Sequence, residues 1–176
     1  MADLVAVMVP RKLADLLSEE ARKRGIPLEQ LLVEKLASEA DSNDRAQAYL
    51  ELHEKYLEEA RTLADRGELA QAGEKLWGAV TALLNAIGEL RRLPHYSHRD
   101  YSELVERLAS ELKRPELGKL FAVAERLHAN FYHDFIEDQE VFKAYEADVL
   151  KLVEVLENEV SRYLAASDNE PDRDER

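Results

Sequence analysis

The sequence predicts a mainly α protein: an antiparallel helical bundle with a short N-terminal strand-helix-helix extension. Three observations predict it. From residue 45 to about residue 166, leucine, alanine and aromatic residues recur every three to four positions, the period of one helix face. Gly25, Gly67, Pro94 and Pro115 fall between these periodic runs, where helices stop and chains turn. A single short β-branched run, residues 4–9, reads as a strand.

The elements follow in order. Residues 4–9 form the expected strand, and Pro10 ends it. A lone strand leaves its backbone donors and acceptors unpaired, so the same strand of a second copy is its simplest partner. The first helix covers residues 11–24 with an apolar stripe of Leu13, Leu16, Leu17 and Ala21, and Gly25 stands at its C-terminal cap. Pro27 suits the first turn of a second helix lined by Leu28, Leu31, Leu32 and Leu36. Residues 38–44 are a polar linker in which Ser42 or Asp44 caps the next helix. Residues 45–66 and 68–92 form two long helices joined by Gly67, which makes them an antiparallel hairpin. Residues 93–100 are a loop broken by Pro94. Helices over 101–113, 116–135 and 139–166 complete the bundle. Tyr49, Tyr56, Trp77, Phe121 and Phe131 lie on apolar faces and are expected in the core.

Composition narrows the function. The 176-residue chain has 37 acidic and 24 basic residues, a net charge of -13, which repels polyanions at long range. It has no cysteine, so thiolate metal sites and disulfides are excluded, consistent with a reducing cytoplasm, the expected location. No apolar run is long enough to span a bilayer, so no membrane role is expected. Residues 167–176 are charged and lack large apolar groups, so a disordered tail is expected there. No phosphate loop, nucleophile elbow or zinc-protease motif occurs.

Two stretches carry a resemblance. Strand, helix, Gly-Ile-Pro turn and helix in VAVMVPRKLADLLSEEARKRGIPLEQLLVEKL resemble a ribbon-helix-helix unit over residues 1–40. In that family paired strands of two subunits read the DNA major groove. Here Leu4, Val5, Ala6, Val7, Met8 and Val9 offer no hydrogen bond to a base edge, so a dimerisation arm is expected and DNA is not an expected partner. Residues 45–164 resemble the PaREP1 family of archaeal helical proteins. The resemblance rests on AQAGEKLWGAV, on the Ser97-His98 loop and on LHANFYHDF. That family is grouped with the HEPN bundles, so the resemblance implies an HEPN-like domain over residues 44–166. Many HEPN proteins are dimeric, metal-independent ribonucleases with an Arg-x4-6-His motif, often beside a toxin–antitoxin partner.

Candidate site residues follow. Arg126, Asn130 and His133 fall at i, i+4 and i+7 on one helical stripe, expected to face solvent or a second subunit. In a ribonuclease the arginine would neutralise the scissile phosphate and the histidine would move a proton. Arg91, Arg92 and Arg99 make the most basic stretch and are the expected phosphate or RNA contacts. His128, on an apolar face, is expected to be a hydrogen-bonded core residue. His95, His98 and Asp100 have a spacing that suits a divalent ion, but no fourth ligand is visible, so neither metal nor cofactor is expected. The expected function is a homodimeric or higher-order interaction or regulatory protein in a toxin–antitoxin or defence-type system. The alternatives are an endoribonuclease using Arg126 and His133, and a DNA-binding regulator acting through the arm.

Overall fold

The computed structural model describes residues 5–37 and 39–167. Among the described residues there are seven α-helices and no strand. They are α1 (Arg11–Arg24), α2 (Leu28–Leu36), α3 (Ser42–Asp65), α4 (Leu69–Arg91), α5 (His98–Glu111), α6 (Glu116–His133) and α7 (Gln139–Ser167). Residues 168–176, where a disordered tail was expected, and Ser38 of the linker lie outside the described residues.

The expected strand at residues 4–9 is overturned. Leu4 lies outside the described residues, and residues 5–10 have no regular structure. Val5, Val7 and Met8 are 85%, 80% and 99% exposed. A strand is stabilised by the ladder it joins, and among the described residues there is no second strand for residues 5–9 to pair with. The N-terminal extension is an irregular segment followed by a two-helix hairpin.

The helices themselves start and stop for local reasons. At the end of α1, Gly25 takes a left-handed conformation (φ 64°), and the following amide, Ile26 N, closes the turn on the Ala21 carbonyl. Asp41, not Ser42 or Asp44, caps α3: its carboxylate accepts from the Asp44 amide at 2.9 Å. Gly67 (φ 77°) turns the chain between α3 and α4. Ser97 caps α5, accepting from the Asp100 amide at 3.2 Å, so that helix begins three residues before the expected Tyr101.

Helix α4 is the axis of the molecule. It packs against α3, α5, α6 and α7 and is buried without a break from Leu76 to Glu89. The core around it holds Trp77, Tyr49, Tyr56, Tyr101 and Phe142. Buried polar side chains fasten the α1–α2 hairpin to this axis. The Gln30 amide nitrogen donates to the Gly78 carbonyl at 3.0 Å and to Thr81 Oγ1 at 2.9 Å, and Asn85 Nδ2 donates to Gln30 Oε1 at 2.8 Å. Gln30 is 1% exposed, so each of these bonds replaces one that water would otherwise make.

Candidate functional site

The three segments that carry the sequence resemblance meet at one place. Helix α4 supplies Glu74 and Trp77, the start of α5 supplies His98, and α6 supplies His128 and Tyr132. The His98 and His128 rings both stack on Trp77, with centroids 5.1 and 5.0 Å away and interplanar angles of 15° and 24°. The two imidazoles are 5.5 Å apart. Tyr132 closes on His128 edge-on at 5.2 Å.

Hydrogen bonding sets the chemistry of this pair. His128 Nδ1 lies 2.6 Å from Glu74 Oε2, a contact that fixes the orientation of the ring. Burial, and then the neighbouring His128, holds His98 below the usual histidine pKa. Both Nε2 atoms lie against the backbone of Gly25: a Cβ there would sit 2.7 Å from His98 Nε2 and 3.8 Å from His128 Nε2. Only glycine accommodates both this contact and the left-handed turn. The pair thus seats the α1–α2 turn on the bundle, with one imidazole oriented by a carboxylate. His128 is buried and hydrogen-bonded, as its apolar face implied.

The loop histidines part company. His95 is buried near the C-terminal end of α4, its Nδ1 2.6 Å from the Leu93 carbonyl and its Nε2 3.1 Å from Glu89 Oε1. Glu89 is 4% exposed and also accepts from Arg45 Nε at 2.9 Å and from the Tyr96 hydroxyl at 3.2 Å. Burial beside this carboxylate pushes the Tyr96 phenol up to about 12. His95 and His98 therefore serve different networks, and no cluster of three or more potential ligands occurs among the described residues.

The helix-six stripe is split. Arg126 is exposed, and its guanidinium lies 4.8 Å from the Phe135 ring and 5.5 Å from the Tyr145 ring. His133 is exposed at the last position of the helix. Asn130 does not share their face: it is fully buried, and its Oδ1 accepts from the Phe135 and Ile136 amides at 2.8 and 2.7 Å. The helix ends at His133 with Asp134 left-handed, so Asn130 turns inward to satisfy the chain that leaves it. Phe131, expected in the core, is instead 42% exposed.

The three arginines differ as well. Arg91 makes a bidentate pair with Glu111 at 3.0 and 2.8 Å, and Arg99 pairs with Glu103 at 2.7 Å. Arg92 is exposed at the left-handed end of α4 and lines a groove with Asp41, Ser42 and Asn43.

No helix among the described residues is long and apolar enough to cross a membrane. The family described as the Archaeal PaREP1/PaREP8 family matches residues 48–153. No curated protein and no solved structure matches the chain.

Proposed function

The chain belongs to the Archaeal PaREP1/PaREP8 family, and from that premise we propose that it is a self-associating interaction protein built on an HEPN-like bundle. One observation carries this reading. The N-terminal segment and the first turns of α1 present Val5, Val7, Met8, Leu13 and Leu16 to solvent, at 85%, 80%, 99%, 45% and 53% exposure. Only the far end of α1, at Ala21, is buried. Apolar side chains gathered at one end of a chain this acidic mark a contact surface. Full burial of each contributes about 1.5–3 kcal/mol. A regulatory place in a toxin–antitoxin or defence-type system is what the family resemblance adds to this reading.

Light scattering tests it. The parent chain is expected at a multiple of its 20.1 kDa mass, and Leu13→Glu/Leu16→Glu is expected to reduce that mass to the monomer's. A parent that stays monomeric at tens of micromolar refutes the reading.

A second reading is a metal-independent ribonuclease. It is supported by the joint exposure of Arg126 and His133 on α6 and by the carboxylate-oriented His128 beside His98. Cleavage of single-stranded RNA in EDTA, lost in His133→Ala, assigns it to the first pair; cleavage lost only in His98→Ala assigns it to the second. Absence of cleavage removes it.

A further inference from the structure

We propose that the N-terminal segment of a second copy seats on the acidic, aromatic corner where α6 turns into α7. This proposal rests on the self-association reading above and identifies its contact.

The corner is a built platform with an apolar surface. Phe131, Tyr132, Phe135 and Val141 are 42%, 54%, 44% and 46% exposed. Around them stand four exposed acids, Asp134, Glu137, Asp138 and Glu140. The backbone beneath is fixed at both ends. Asn130 Oδ1 holds the Phe135 and Ile136 amides, Asp138 Oδ1 accepts from the Glu140 and Val141 amides at 2.8 and 3.0 Å, and Ile136 and Phe142 are buried anchors. The guanidinium of Arg126 already lies over Phe135 and Tyr145. Glu140 is paired with Lys143 Nζ at 2.9 Å; with Arg126 counted too, the four acids of the corner still outnumber its two cations, which disfavours a phosphate backbone and favours a cationic segment.

The chain itself carries a segment of matching chemistry. Val5, Val7, Met8 and Val9 are exposed apolar side chains, and exposed Arg11 and Lys12 follow directly. The aliphatic side chains suit the aromatic surface, and the two cations suit the four carboxylates. At 80–99% exposure, Val5, Val7 and Met8 do not cover the corner of their own copy. Reciprocal exchange between two copies satisfies both surfaces at once and closes a dimer.

Charge reversal tests the contact. Arg11→Glu/Lys12→Glu alters the segment, and Glu137→Lys/Glu140→Lys alters the corner. Each variant alone is expected to weaken the dimer by about tenfold or more at low salt. A mixture of the two restores complementarity at both contacts and is expected to form a heterodimer of parental strength. Unchanged thermal melts separate this outcome from misfolding. The chain lacks cysteine, so mild oxidation of a mixture of Met8→Cys and Phe131→Cys chains is expected to give a crosslinked heterodimer. A dimeric parent whose mass, pairing and crosslinking ignore these changes overturns the contact and leaves self-association standing. A monomeric parent overturns both.

Discussion

At Trp77 two histidines from distant parts of the chain depend on one indole. His98 and His128 lie flat on it, and Glu74 fixes His128 through a 2.6 Å bond. Trp77 is fully buried, so Trp77→Ala removes both the core volume and the surface on which the histidines stack. The expected loss is about 3–5 kcal/mol, read from the denaturant midpoint. His98 also confers a pH dependence. His98 has a folded pKa below its ordinary value of 6.5, because burial and His128 disfavour its charged form. The unfolded chain therefore binds the proton more readily than the native one. His98's contribution is fully present above pH 6.5 and is lost as pH falls through the ordinary value towards the lower folded one. Stability is expected to decline on acidification over that window, and His98→Asn is expected to make the decline shallower. Urea titrations at neutral and mildly acidic pH measure both.

Among the elements, the end of α6 shows how one side chain decides a surface. Asn130 spends its carbonyl on two amides of the departing chain. Turned inward, it leaves the aromatic residues that follow to cover the corner. Asn130→Ala strands those two amides, and the buried Ile136 amide then has no water to replace the lost partner. The expected cost is about 1–3 kcal/mol. Faster hydrogen exchange confined to the amides of Phe135 and Ile136 distinguishes this from general destabilisation. Gly88, in the middle of the α4–His95 contact, is a second such position. A Cβ there would stand 2.4 Å from His95 Cγ, so Gly88→Ala must displace the imidazole from Glu89. Lower thermal stability with an unchanged helical content is expected from circular dichroism.

For the molecule as a whole, charge and apolar surface oppose each other. Two copies at a net charge of -13 repel, while the N-terminal apolar residues favour contact. Salt screens the repulsion over about 8–10 Å and leaves apolar burial intact. It also weakens the local attraction of Arg11 and Lys12 for the corner. The global term involves many more charges, so the parent dimer is expected to tighten between low and moderate salt. The Arg11→Glu/Lys12→Glu variant has no such attraction to lose and is expected to tighten more steeply. Sedimentation velocity across a salt series reads both slopes.

The sequence alone determined the helices, because a helix is a local object: its period and its Gly25 and Gly67 stops all lie within a few residues of one another. Tertiary structure decided the rest. The expected strand fails because pairing is non-local and residues 5–9 find no ladder. Asn130 faces inward because of where the chain goes after the helix ends, which periodicity does not encode. Glu74 and His128 are 54 positions apart, and no spacing rule joins them. They meet because α4 and α6 cross at Gly73, where a Cβ would come within 3.1 Å of the Leu127 carbonyl, and such close packing exists only once the whole bundle has formed.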